Sequence, residues 1–222
     1  MALVSAIILS GGRATRMNGV DKGLVMLQNK PLIAHVITQL KPHVDEILIN
    51  ANREIAAYEA FGYPVLQDEN DQDTLEKFIG PLAGFLLGLK HAKHDYILTV
   101  PCDSPLLPLD LAERLYNGMA ASRMDIAVAS SASNTHPVFC LMKKSLLPSL
   151  QTYIESGERK VSAWQKSQRY VEVDFSDCAD AFVNLNTLED LKTLELKLKD
   201  TLSAISGLAL TLKPPNPQTY SN

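Results

Sequence analysis

Short apolar runs closed by turn residues recur along the chain, and most of them are strand-like. Ala6-Ile7-Ile8, Ile47-Leu48-Ile49, Pro64-Val65-Leu66 and Tyr96-Ile97-Leu98-Thr99-Val100 have the length and β-branched content of buried strands. Between them, Leu32, Ile33, Val36, Ile37 and Leu40 fall at helical spacing, with Pro31 opening that helix and Pro42 closing it. A short helix is expected over Glu54 to Phe61, and a longer one begins at Gly80-Pro81-Leu82-Ala83-Gly84 and ends in the cationic stretch Lys90 to His94. The second half predicts a helix over Leu109 to Ala121 and strands over Asp125 to Ser130 and His136 to Leu141. Too little lies between those strands for a crossover helix, so they should run antiparallel. Leu146 to Ser156 is helical, stopped by Gly157; Val171 to Phe175 alternates as a strand; and a last helix runs from Leu188 to about Leu198. Strand–helix alternation of this kind predicts an α/β three-layer sandwich, mostly parallel, with one or two reversed strands in the second half.

The carboxyl edge of such a sheet is where ligands bind, and the sequence concentrates its unusual residues there. Leu9 to Gly23 reads LSGGRATRMNGVDKG. Gly11 and Gly12 let successive backbone N–H groups wrap a phosphate. Arg13, Arg16 and Lys22 follow, interrupted by the single acid Asp21. Backbone donors with three cations suit a polyanion such as a nucleoside triphosphate. The loop is not a Walker motif, because Lys22 precedes Gly23 and Leu24 rather than Ser or Thr, and G-x-G-x-x-G is not present.

Three other strand ends carry polar groups. Asn50, in Asn50-Ala51-Asn52-Arg53, suits an Asx-turn, a helix cap or a ligand contact. Asp68 stands before the polar stretch Glu69 to Asp73, which reads as a mobile loop where an acid is ordinarily solvated. Asp103 lies in Pro101-Cys102-Asp103-Ser104-Pro105, its backbone fixed by a proline on each side. A carboxylate so held beside phosphates is a Mg²⁺ ligand in outline, since magnesium completes its octahedron with phosphate oxygens and water. The competing role, capping the helix near Pro108, is one that Asp110 can take.

Composition narrows the function. A chain of 222 residues with 46% apolar content has enough core for one domain. Its net charge of −4 argues against nucleic-acid or membrane-surface binding, which need a broad basic face. The start, MALVSAIILSGG, has no basic region ahead of its apolar run, and no run is long enough to span a bilayer. Cys102, Cys140 and Cys178 are odd in number and widely spaced, suggesting neither a disulfide framework nor zinc. The expected location is a reducing cytoplasm. His136 alone reads as structural.

The loop at Leu9 to Gly23 resembles the nucleotide-binding signature of the molybdenum cofactor guanylyltransferases, within the nucleotidyltransferases that begin L-x-G-G-x-x-x-R-M. The family writes Ala where this chain has Ser10 and usually Gly where it has Asn18. The resemblance continues through the family's N-A-N-R at Asn50 to Arg53, G-P-L-A-G at Gly80 to Gly84 and H-P at His136-Pro137. It extends to G-E-R-[RK]-V at Gly157 to Val161, V-D-F-S-D at Val173 to Asp177 and F-x-N-x-N-T at Phe182 to Thr187. It implies a Rossmann-like nucleotidyltransferase fold and transfer of GMP from GTP to molybdopterin carrying molybdenum, with Mg²⁺ as cofactor. By the same resemblance Leu9, Ser10, Gly11, Gly12, Lys22, Asn50, Asp68 and Asp103 bind nucleotide, and Gly80 to Gly84 walls the pocket. Arg16, Lys22 and Asp103 serve catalysis, Asp103 as the metal ligand. Arg159, Lys160, Asn184 and Asn186 would face the pterin. Residues 1–206 would form one domain, nucleotide-binding in its first half and pterin-facing in its second, with 207–222 a loose tail around Pro214, Pro215 and Pro217. Other cofactor-biosynthesis proteins or recipient molybdoenzymes are the implied protein partners. Two alternatives share the loop: a cytidylyltransferase, and a nucleotide-sensing module without catalysis. Asp103 beside Lys22 favours an enzyme, because a sensor need not place a metal.

Overall fold

The computed structural model describes residues 2–11, 21–68, 80–132, 134–183, 185, 187 and 189–199. Its seven-stranded sheet is built from β1 (Val4–Leu9), β4 (Glu46–Asn50), β5 (Val65–Leu66), β6 (Tyr96–Pro101), β7 (Ile126–Ser131), β8 (Asn134–Lys143) and β9 (Tyr170–Asp174). The spatial order is β5-β4-β1-β6-β8-β7-β9. β8 pairs antiparallel with both β6 and β7, while the other four pairings in the sheet are parallel. One reversed strand therefore interrupts an otherwise parallel sheet, as the short β7–β8 connection predicts.

Period-two alternation in the strands explains the three layers. Ala6, Ile8, Ile47, Ile49, Leu98, Val100, Ala127 and Ala129 face one way and enter one core cluster. Ile7, Leu48, Ile97, Ile126 and Val128 face the other way and enter a second. Helices α1 (Leu32–Leu40), α2 (Ile55–Glu59) and α4 (Leu111–Ser122) cover the first face, with Ile33, Val36, Tyr58 and Leu115 buried against it. The second face is covered by α3 (Pro81–His91), α5 (Leu147–Glu155) and α6 (Val161–Lys166), through Phe85, Leu89, Leu150 and Trp164. A nine-residue helix such as α1 is too short to persist alone. Its five buried side chains hold it, each contributing roughly 1.5–3 kcal/mol.

Helix α3 approaches the sheet unusually closely. A Cβ on Gly84 would fall 2.3 Å from Leu9 Cδ2 and 2.9 Å from Asn50 Oδ1, so only glycine fits. Gly84 thus packs on the ends of β1 and β4.

Two features escaped the hydrophobic pattern. Residues Met26–Leu27 (β2) and Lys30–Pro31 (β3) form a small antiparallel hairpin whose turn residues Gln28 and Asn29 both have positive φ, 49° and 61°. The hairpin turn most expected there is Asn-Gly or Asp-Gly, and Gln-Asn hides it. Pro31 consequently ends β3 and caps α1 rather than starting the helix. The β7–β8 ladder also jumps register, from Val128↔Cys140 to Ala129↔His136. Pro137 lies in the bulge and can donate no ladder bond. Thr99 Oγ1 donates to Val138 O at 2.6 Å, and Gln165 Nε2 to Pro137 O at 2.8 Å, so the displaced carbonyls are satisfied.

His136 is packed as a structural residue. Its ring stacks on Phe182 at 4.7 Å and its Nε2 shares a 2.7 Å hydrogen bond with Ser131 Oγ. Burial lowers its pKa. The V-D-F-S-D segment is anchored by Arg114, whose guanidinium lies 3.9 Å over the Phe175 ring and bonds both Asp177 oxygens at 2.9 Å. The three cysteines are free thiols, Cys102 and Cys140 buried.

The chain divides into two compact units, Met1–Asn184 and Leu185–Asn222. In the second, residues 189–199 are helical, begun by a reciprocal cap in which Thr187 N donates to Asp190 Oδ2 and Asp190 N to Thr187 Oγ1. The expected tail, 207–222, lies outside the described residues, as does the expected loop Glu69 to Asp73.

Candidate active site

Four parallel strands end level with one another. Leu9 is opposite both Asn50 and Pro101, and Asn50 is opposite Leu66. Beyond them the backbones stay joined: Ser10 N donates to Asn50 O at 2.8 Å, Ala51 N to Leu66 O at 3.0 Å and Cys102 N to Leu9 O at 3.2 Å. Ser10, Gly11, Asn50, Asn52, Asp68 and Asp103 are thereby gathered along one edge by strand register alone.

At one end of this edge is an amide–carboxylate cluster. Asn50 Nδ2 donates to Asp68 Oδ1 at 2.9 Å and to Leu66 O at 3.3 Å. Asn52 Nδ2 donates to Asp68 Oδ2 at 2.7 Å, and Asp68 N returns a bond to Asn52 Oδ1 at 2.8 Å. Asp68 is therefore clamped through both oxygens rather than merely solvated. Asn50 forms no helix cap; it is a buried brace whose Oδ1 faces Gly11 and Gly84. A Cβ on Gly11 would lie 3.0 Å from that oxygen and 3.2 Å from Asn52 Nδ2, so the first glycine of the loop admits its neighbours' side chains. Asn52 was not singled out in the sequence, although its place two residues after Asn50 puts it on the same side of the strand end.

At the other end Lys22 meets Asp103. Lys22 sits in a single 3₁₀ turn (Lys22–Leu24), and its Nζ donates to Asp103 Oδ2 at 3.1 Å. Asp103 is buried and is not a helix cap. Asp110 does hold the N-cap position of α4, but its side chain makes no capping bond and pairs with Arg114 at 3.7 Å.

The turn bearing Lys22 is anchored from below. Asp21 is buried, and its Oδ1 accepts from Gly23 N at 3.3 Å and from the buried Tyr58 hydroxyl. Burial, with Cys102 and Asp21 nearby, pushes the Tyr58 pKa far up, so the hydroxyl stays a donor. Burial and then Asp103 push the Cys102 thiol up to about 12, which removes it as a nucleophile near neutral pH. The Ser10 hydroxyl, which stands where the family has Ala, is buried beside these two groups.

Of the remaining expected site residues, Arg159 donates through Nη1 to Ile154 O at 2.8 Å and to Glu158 O at 2.6 Å, closing the end of α5. Lys160 is exposed, and its carbonyl accepts from Tyr153 Oη at 3.0 Å. Gly12, Arg13, Arg16, Asn184 and Asn186 lie outside the described residues.

Among the described residues no group of three or more His, Cys, Asp or Glu forms a ready-made metal cage. Asp103 stands at the Lys22 end of the edge, apart from Asp68, whose two oxygens are taken by Asn50 and Asn52. That donor set suits magnesium, which takes one or two carboxylates and leaves its other positions to phosphate and water.

The family model of the MobA-like NTP transferase domain matches residues 6–172. The chain belongs to this family. Within the MobA-like family, a molybdenum cofactor guanylyltransferase of Shewanella putrefaciens is 47% identical over 193 residues, covering 87% of this chain and 96% of its own. One from Polynucleobacter asymbioticus is 49% identical over 199 residues, covering 88% and 97%. Among solved structures, the molybdopterin-guanine dinucleotide biosynthesis protein A of Archaeoglobus fulgidus superposes with a TM-score of 0.71 at 23% identity, covering 88% of this chain and 99% of that one. A 4-diphosphocytidyl-2C-methyl-D-erythritol synthase of Anaerococcus prevotii superposes with a TM-score of 0.66 at 13% identity, covering 89% and 96%. At such identities the structures share the fold with this MobA-like chain.

Proposed function

We propose that this chain transfers GMP from GTP to molybdenum-bearing molybdopterin, giving the guanine dinucleotide form of the cofactor and pyrophosphate. Relatives above 40% identity along nearly their whole length are guanylyltransferases of this cofactor, which supports the choice of nucleotide and acceptor. The observation that carries the chemistry is the Lys22–Asp103 pair, 3.1 Å apart at the strand ends.

The acceptor's terminal phosphate is already anionic near neutral pH. One of its oxygens attacks the α-phosphorus of GTP, the bond to the bridging oxygen breaks, and pyrophosphate leaves with the electron pair. No general base is needed; alignment and charge neutralisation are. Lys22 turns its ammonium to the triphosphate, and Gly11 offers backbone N–H. Gly12 and Arg16 extend that cradle on the strength of the motif. Asp68, clamped by Asn50 and Asn52, serves the nucleoside. Asp103 would hold Mg²⁺, which when bound would neutralise charge on the phosphates. Arg159, Lys160, Asn184 and Asn186 serve the pterin, and the enzyme works in the cytoplasm.

The test is differential thermal stabilisation. GTP with Mg²⁺ at a hundred times its Kd should add about 2.7 kcal/mol, and CTP much less. Equal stabilisation by CTP would overturn the guanylyl assignment. Pyrophosphate release that requires both GTP and molybdopterin separates the enzyme from a nucleotide sensor.

A further inference from the structure

Asp21 raises a physical question. A buried carboxylate is costly unless satisfied, yet the chain places one next to the lysine that faces Asp103 and leaves that lysine to pair elsewhere. The answer is in the partners of Asp21. Its Oδ1 is taken by the Tyr58 hydroxyl, delivered from α2, and by Gly23 N. Leu24 N donates to Asp21 O at 3.0 Å and Val25 N to Lys22 O at 3.2 Å, so the turn on either side of Lys22 is fixed. Gly23 has no side chain because a Cβ would fall 2.6 Å from the Tyr58 oxygen, so turn and phenol are in direct contact.

We propose that Tyr58 is a positioning residue of the active site: by donating to Asp21 it locks the turn that carries Lys22 and keeps the ammonium directed at Asp103 and the bound triphosphate instead of folding back onto Asp21. This rests on Lys22 being the phosphate cation of the transfer proposed above. Tyr58 is fully buried, so it acts through Asp21 on Lys22.

Tyr58→Phe removes one hydrogen bond to a charged group and keeps the ring. GTP affinity should fall about tenfold, in the range of a lost charge-assisted hydrogen bond. Guanosine, which has no phosphate for Lys22 to reach, should bind as it does to the parent, and a lesion that merely loosened the fold would weaken both ligands. In a Lys22→Met background, Tyr58→Phe should have no further effect on GTP affinity. Asp21→Ala, which removes the acceptor of the same bond, should reproduce the selective loss and serves if Tyr58→Phe folds poorly. Equal loss of guanosine and GTP affinity, or additive effects of Tyr58→Phe and Lys22→Met, would overturn the positioning role alone. Unchanged GTP affinity in Lys22→Met would overturn Lys22 as the phosphate cation and the positioning role with it.

Discussion

Lys22 Nζ lies 3.1 Å from Asp103 Oδ2, joining the end of the glycine loop to the end of β6 across 81 residues of chain. With side-chain exposures of 26% and 10% the pair is only partly screened by solvent. On the transfer proposed above, its value is in placing a cation and a carboxylate where phosphate charge must be managed.

Asp103→Asn should leave folding nearly unchanged and, if Asp103 is the metal ligand proposed above, lower pyrophosphate release by orders of magnitude, because the amide keeps the shape but loses the charge that would hold Mg²⁺. Melting temperature and single-turnover rate measured together check it. Release near the parent rate would remove Asp103 from the metal site.

Asn52→Ala deletes two bonds to Asp68 without touching the Lys22 turn. GTP should bind roughly tenfold more weakly, as expected when about 1–1.5 kcal/mol of hydrogen bonding that fixes Asp68 is lost. Calorimetric titration decides it, and unaltered affinity would show that Asp68 does not need its clamp.

Gly84→Ala drives a Cβ to 2.3 Å from Leu9 Cδ2. Overpacking of this kind costs about 1–3 kcal/mol, and a chain of this size loses about 2–4 °C of melting temperature per kcal/mol. Leu9→Ala combined with Gly84→Ala should recover part of the loss left after Leu9→Ala alone is accounted for. Strictly additive losses would show that Leu9 is not the obstacle.

The lowered pKa of His136 gives a pH signature. The folded state resists protonating this ring, while the unfolded chain protonates near the ordinary 6.5. Stability is thus full above that pH and declines as pH falls below it, with the unfolded state binding the extra proton. Urea unfolding from pH 8 down to about 5 should show this slope in the parent and less of it in His136→Gln.

The layered fold was legible because its strands are apolar runs and its helices have clear apolar stripes. The reversal of β8 followed from how little chain separates it from β7. What could not be read were contacts between distant elements. Asn52 shares a side of the strand end with Asn50, but nothing local shows that it reaches Asp68, and the clamp on Asp68 exists only because β4 and β5 end level. Tyr58 reads as an ordinary core aromatic of a short helix, and nothing local shows that its hydroxyl faces Asp21. The β2–β3 hairpin was hidden by a Gln-Asn turn in place of the usual glycine. Asp103 and Lys22 were found because prolines and glycines marked their surroundings, although their direct contact was not.

The β1–β6 pairing also governs when the site can exist. Val4 is opposite Tyr96, and Lys22 finds Asp103 only when β6 is in place, whereas β7 and β8 are joined by a short turn. Closing the long segment between β1 and β6 must precede the contacts that reward it. On a ribosome Lys22 is made early, yet it cannot meet Asp103 until β6 has emerged. Assembly of the Lys22–Asp103 pair is therefore tied to the docking of β6 and not to the making of the lysine itself.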